Sequence, residues 1–503
     1  MRKSLSIAAD HLPQYDELYV ISDLHLGGRN GFQIFNAAAE LGHLADVVCS
    51  RAKDKQVALL INGDLVDFLA EKPALAFDPH GAVDKLERIV GDPAFAPVWK
   101  ALQKIAATKN RWLIINLGNH DLELALPWVR ARLLDLLAGR DEKARGRIML
   151  TFEGAGFLCR VGKAEVLCVH GNEVDTWNVT DYERLRRIGR DMVQSRPVDS
   201  WTPNAGSQLV VEVMNDIKET YPFVDLLKPE MQAVIPTLLA LDPNQRIKVK
   251  AIAATLTRRI VDKARRITGF LSAEGQAEIE QQVLPPDLLT TTQPDELTGV
   301  ARRGGTAYKE ALLKAAEAQF LQGVDPLSLV PADARGEYLG LSDALISLVS
   351  GSEPHEVLRR ALEKLQHDRS FDLTDDDTTF RDLDELIGNG PDFLIAGHTH
   401  LRRALPRRKG RGWYFNSGTW VRLIRLDANV LKDADEFKNV FDVFGARDMQ
   451  KLDDFPNLVQ RQLTVVVIWA DGERTHGELQ EVQKTTSETY QLVSVEKSRF
   501  TRH

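Results

Sequence analysis

Cysteine is scarce: the chain has 3 in 503 residues, Cys49, Cys159 and Cys168, each in apolar surroundings and none at the close spacing of a thiolate metal site. The sequence therefore predicts buried, reduced thiols. Long apolar runs are also missing. No stretch approaches the roughly 18 to 20 consecutive apolar residues that crossing a bilayer requires, and charged residues make up 27% of the chain. A transmembrane helix is not expected. The N-terminal stretch "MRKSLSIAADHLPQYDE" starts basic but lacks a continuous apolar segment, so it does not read as a signal peptide. Cytoplasmic location is the expectation. A basic excess is absent as well: the formal net charge is -8. With no clustered aromatic stacking signal beside it, this argues against a general nucleic-acid binder. Phosphate recognition, if any, must come from a focused site.

What the chain does have is rhythm. Short β-rich runs, "ELYVIS" at 17 to 22, "QVALLIN" at 56 to 62 and "RWLIINL" at 111 to 117, alternate with helical patterns near 32 to 54 and 82 to 108. This is the pattern of a sheet covered by helices, an α/β fold of the doubly wound kind. Each run stops at a polar cluster: "SDLH", "GDLVD" and "GNHD". Two further runs, "AEVLCV" at 164 to 169 and "DFLIA" at 392 to 396, stop at "HGNEVD" and "GHTH". Ligand sites in open α/β sheets lie beyond the carboxyl ends of strands. The five clusters can therefore converge.

Together they supply Asp23, His25, Asp64, Asn119, His170, His398 and His400, with His120 to spare. This oxygen and nitrogen set, free of sulfur, suits Mn, Fe or Zn. Seven donors exceed what one tetrahedral ion can use. Two divalent metal ions, Mn first and Fe or Zn as alternatives, would use them all around a shared carboxylate, the arrangement that clamps an in-line displacement at phosphorus. His120 is then left to assist the leaving oxygen, with Asp67 as the partner that orients it. Arg29, after the glycine pair, is a candidate clamp for a substrate phosphate. Asp121 reads as a brace for its loop. Glu173 and Asp175 read either as acceptors for ligand histidines or as ordinary loop residues.

In this order, "DLH", "GDLVD", "GNHD", "VHG" and "GHTH" resemble the five-motif signature of the calcineurin-like metallophosphoesterases, and "FNSGTW" at 415 to 420 resembles the segment that often follows. The likeness covers roughly 17 to 175 and 385 to 427. It implies a two-sheet β-sandwich flanked by helices in place of a single doubly wound sheet. It also implies that Asp23, His25 and His400 hold one metal, that Asn119, His170 and His398 hold the other, and that Asp64 bridges them. His120 then serves the leaving group and Asp67 supports it. The implied activity is hydrolysis of a phosphoester or pyrophosphate bond by a metal-bridging hydroxide. "ISDLHL", "GDLVDF" and "GNHDLEL" are most similar to the branch that includes UDP-2,3-diacylglucosamine diphosphatase, although this chain has "HGN" where that enzyme is expected to have "HGD". The expected substrate is a phosphorylated small molecule or a lipid-linked one. A nuclease and a non-catalytic scaffold of the same fold are the alternatives.

The domain organisation expected is a metallophosphoesterase core at 1–175 and 386–430, a mostly helical insertion or cap at 176–385, and a C-terminal α/β extension at 431–503. Helix-forming composition is seen at 207 to 219, 246 to 271, 306 to 321, 341 to 350 and 354 to 367. The segment at 246 to 271 carries Ile252, Leu256, Ile260, Ile267 and Phe270 near one face, with Arg258, Arg259, Lys263, Arg265 and Arg266 interspersed. Such a helix either packs on a core or makes peripheral contact with an anionic membrane surface. The acidic stretch "DLTDDDTTFRDLDELI" at 372 to 387 is expected to be a solvated loop and helix start.

Overall fold

A computed structural model describes residues 11–198, 200–228, 230–242, 353–363, 369–426 and 428–502. The segments at 246 to 271, 306 to 321 and 341 to 350 lie outside the described residues. The chain divides into two compact units, one of Met1–Ser207, Arg369–Leu423 and Gln460–His503, the other of Gln208–Asp368 and Ile424–Val459.

The first unit is mixed α/β and is built on two sheets, consistent with the metallophosphoesterase fold. In the larger sheet the strands Glu17–Ile21, Val57–Asn62, Arg111–Asn116 and Ile148–Thr151 run parallel in that order. Strands rich in Val, Ile and Leu that read as continuous apolar runs are what a sheet buried on both faces requires. Alternate residues serve the two faces. Tyr19, Ile21, Leu59, Ile61, Leu113 and Ile115 pack under helices that include Ala38–Ser50, Ala96–Ala107 and Pro127–Ala138. Leu18, Val20, Ala58, Leu60 and Ile114 face the second sheet. Each such fully buried side chain is worth roughly 1.5–3 kcal/mol against exposure.

The second sheet contains Phe157–Val161, Ala164–Cys168, Phe393–Ala396, Trp413–Asn416 and Arg403–Pro406, with Ala164–Cys168, Phe393–Ala396 and Trp413–Asn416 parallel. Its inner residues Cys159, Val166, Phe393, Ile395 and Phe415 complete the core between the sheets. Its outer residues Leu394, Ala396 and Tyr414 are covered by Phe380 and Leu383 of the Thr378–Ile387 helix. The layers thus run helices, sheet, sheet, helix. A single doubly wound sheet, the plain reading of the strand rhythm, is replaced by this sandwich because Ala164–Cys168 pairs with Phe393–Ala396, far along the chain, and not with the first three strands.

Three sequence expectations meet a different local structure. In the segment 431–503, the strand Thr464–Asp471 lies antiparallel to Glu17–Ile21, with Val466 opposite Val20, so the C-terminal strands extend the larger core sheet. The Tyr182–Val193 helix, within the expected insertion, belongs to the first unit and buries Leu185 in its core. The acidic stretch is held by ion pairs: Asp377 caps the helix at Phe380 N and pairs with Arg403, while buried Asp384 pairs with Arg407 at 2.8 Å.

Among its described residues, the second unit, taken by itself, is helical apart from short strand pairings such as Ile424 with Leu227. A π-turn at Val210–Met214 joins the helices Ala205–Leu209 and Asn215–Lys218. Phe223 stacks on Phe444 at 4.6 Å, beside the buried Ile217, Val224, Phe437 and Val440. Among the described residues no helix is long and apolar enough to cross a membrane.

Candidate metal centre

The strand ends of the two sheets are stitched together by asparagines. Asn116 Nδ2 donates to Asn62 Oδ1 at 2.7 Å, Asn62 Nδ2 donates to the Val169 carbonyl at 2.7 Å, and Asn416 Nδ2 donates to the Gly397 carbonyl at 2.7 Å. Beyond them the loops keep pairing as strands would: Leu24 N and His25 N both donate to Asp64 O at 2.9 Å, and Gly397 N donates to His170 O at 2.8 Å. Five motif residues sit in the left-handed region, Asp23, His25, Asp64, His398 and His400, with φ of 55°, 48°, 52°, 69° and 64°. Non-glycine residues in that region cost of order 1–3 kcal/mol each and cluster at functional sites, held there by the surrounding structure.

The donor atoms converge. His25 Nε2 and His400 Nε2 are 3.1 Å apart, and Asp23 Oδ1 is 3.8 Å from the first and 3.4 Å from the second. Asp64 Oδ2 is 3.6 Å from His25 Nε2 and 3.2 Å from His170 Nε2. Three groups of donors each fit within a 4.8 Å span: Asp23, His25 and His400; His25, Asp64 and His120; and Asp23, Asp64 and His170. His170 Nδ1 lies 2.7 Å from the Asn62 carbonyl, which fixes a proton on Nδ1 and makes Nε2 the ring nitrogen that faces Asp64. Asp23 Oδ1, Asn119 Oδ1 and His170 Nε2 are buried and make no hydrogen bond. Buried polar atoms are rarely left unpaired. Ring nitrogens of His25 and His400 facing each other at 3.1 Å, with orphaned atoms of Asp23, Asn119 and His170 beside them, fit divalent cations.

His398 belongs to none of these groups, and it and Asn119 are each held by another side chain. Asn119 Nδ2 donates to Asn178 Oδ1 at 3.4 Å, and His398 Nε2 contacts Asp175 Oδ2 at 2.8 Å while its ring stays 5.3 Å from that of His170. Asp175 thus takes the first of its two sequence readings, an acceptor for a candidate ligand histidine; Asn178 carries no motif at all. Asn172, the "HGN" asparagine, donates to Asn178 O at 3.0 Å and to Thr180 Oγ1 at 3.2 Å, which ties that loop down. Glu173 accepts from Gly171 N.

His120 is the half-open member: its side chain is 19% exposed, against 3% for His25. Its Nδ1 lies 3.1 Å from Asp67 Oδ1, an oxygen that also accepts from Leu69 N and Ala70 N. Asp67 Oδ2 is 3.8 Å from His25 Nδ1. Arg29 is exposed, its guanidinium 3.8 Å from the Phe32 ring centre. Asp121 accepts from Gly118 N and Leu65 N, bracing the turn.

Charge follows from burial and these pairs. For His120, burial pulls the pKa down, but the charges of Asp67 and Asp64 outweigh it and raise it above the ordinary value. For His170 the same contest ends at about 10, set mainly by Asp64. Burial would raise Asp23, yet the neighbouring His25 and His400 imidazoles hold it well below the usual carboxylate range. Asp121 goes the other way, to about 7, through burial and then the charge of Asp64.

No curated protein and no solved structure matches the chain at a significant level. Residues 17–222 match the family model described as calcineurin-like phosphoesterase, which supports the metallophosphoesterase family for the part of the chain that carries Asp23 through His170.

Proposed function

We propose that the protein is a hydrolase that cleaves a phosphoester or pyrophosphate bond with the help of two divalent cations, Mn first and Fe or Zn as alternatives. The convergence of His25, His400, His170, Asp23 and Asp64 with unpaired buried atoms supports this reading most strongly. Asp23, His25 and His400 would hold one cation, Asn119, His170 and His398 the other, and Asp64 both. When bound, such a pair neutralises phosphate oxygens and lowers the pKa of water towards neutrality. Asp67 accepts from His120 Nδ1 and, with Asp64, favours the charged ring, whose second proton, at Nε2, can pass to the leaving oxygen. Asp67 fixes the ring for that transfer.

A finer reading, cleavage of a pyrophosphate bond in a nucleotide-linked lipid, rests on the likeness of "GNHDLEL" and "GDLVDF" to that branch. The test is a panel on metal-stripped protein resupplied with Mn: a phosphomonoester, a phosphodiester, a nucleotide sugar and single-stranded nucleic acid. The expected result is turnover of at least one phosphate compound, with close to two Mn bound per chain. One Mn or none bound, with no turnover of any substrate, would leave the scaffold alternative standing.

A further inference from the structure

We infer that Asp175 and Asn178 form a clamp that orients His398 and Asn119 for one cation site. The inference rests on the two-cation reading above. The hydrogen bonds form one directed row. A carboxylate can only accept, so His398 Nε2, 2.8 Å from Asp175 Oδ2, carries the proton, and Nδ1 is left as the electron-pair donor of that ring. The same oxygen accepts from Asn178 Nδ2 at 2.8 Å. That contact turns the Asn178 amide so that its Oδ1 points the other way, where it accepts from Asn119 Nδ2 at 3.4 Å.

The Asn119 amide is thereby fixed as well. Its Oδ1 is left buried and without a hydrogen bond. The two ends of a side-chain amide are nearly equal in size, so sterics alone would not stop Asn119 from turning its NH2 group, which repels a cation, towards the site. The clamp supplies the missing direction. It is itself anchored: Asp175 Oδ1 accepts from Trp177 N at 2.9 Å, and the Asn178 carbonyl accepts from Asn172 Nδ2 at 3.0 Å and Asn204 Nδ2 at 3.3 Å. Gly206 closes over it so tightly that a Cβ there would lie 2.0 Å from Asn178 Oδ1. Asp175 and Asn178 are positioning residues.

The experiment titrates metal-stripped full-length protein with MnCl2 by calorimetry and by Mn(II) electron paramagnetic resonance. The variants are Asp175→Asn, which keeps the acceptor for Trp177 N, and Asn178→Ala, which keeps the carbonyl used by Asn172 and Asn204. Each is expected to weaken one of two Mn equivalents by about 10- to 100-fold, the usual cost of losing such a supporting partner. The other equivalent and the urea midpoint of the metal-free protein should stay unchanged. The double variant should lose no more than the worse single one, because both cuts break one row. Two wild-type equivalents in both variants would overturn the clamp, and so would equal weakening of both equivalents with a lowered urea midpoint. Wild-type protein that binds fewer than two Mn would overturn the two-cation reading itself, and the clamp with it.

Discussion

Gly118→Ala should disable the site from a position that donates nothing to it. A Cβ on Gly118 would stand 2.1 Å from Asp64 Oδ1 and 2.4 Å from Asp64 N, where real Cβ contacts essentially never fall below 3.0 Å. Relief therefore demands a shift of about 0.9 Å, the difference between 3.0 and 2.1 Å. Rotating the carboxylate cannot supply it all, because the backbone nitrogen of Asp64 is in the way too. Moving that backbone disturbs Asp64 O, which accepts from Leu24 N and His25 N, and the bond from His120 N to Asp64 Oδ1 at 2.9 Å. Overpacking of this kind costs typically 1–3 kcal/mol. A misplacement near 1 Å costs about 100-fold in turnover. The assay is Mn titration beside a urea melt, with Gly42→Ala as control. Gly42 lies in the Ala38–Ser50 helix, a Cβ there would meet nothing within 4 Å, and the change should be neutral or stabilising by up to about 1 kcal/mol. Gly118→Ala protein that binds Mn and turns over as wild type does would refute the reasoning.

Replacing His120 by Ala should cut turnover by about 100-fold or more while both Mn equivalents remain; loss of metal with the activity would make His120 a ligand instead. Burial lifts Glu123 to about 7 from an ordinary value of 4.5. The folded state holds that proton more tightly than the unfolded one, so the contribution is full below about pH 4.5 and is lost as pH rises through about 7. Glu123→Gln should flatten the fall in urea midpoint between those values, and an unchanged slope would show that the residue does not titrate there. Asp384→Ala strands the buried Arg407 guanidinium and two backbone donors, Arg408 N and Lys409 N. A cost of about 3–5 kcal/mol is expected, read as a lowered urea midpoint, and a change under 1 kcal/mol would mean that water replaces the pair.

Much of the arrangement was legible because strand ends are marked locally. Branched apolar runs that give way to a cluster of Asp, His or Asn mark each donor candidate as lying past the end of a strand, which is where those positions fall in the fold. Partners were not legible. A β pattern at 464 to 471 does not say that it will pair with residues 17 to 21, since its register is set by distant side chains. Left-handed turns at Asp23, His25, Asp64, His398 and His400 run against local preference and exist only because tertiary contacts hold them. Asp384 and Asp377 looked like solvated charge until Arg407 and Arg403 came from elsewhere in the chain. Asn178 offered no signal at all, because an asparagine in a loop is ordinary until its neighbours in space are known.

The sequence separation of 375 between His25 and His400 sets a timetable for biogenesis. At roughly 5–20 residues per second of synthesis, Asp23 and His25 wait about 20 to 75 seconds before their partner imidazole exists. The strand beside them, Thr464–Asp471, comes later still. During that wait the ribosome-bound chain displays loose aspartates and histidines, weak ligands for any cation present. Selection of the right ion therefore belongs to the finished molecule, and a chain released between His170 and His398 would leave the ribosome with five of the seven donor candidates and the set incomplete.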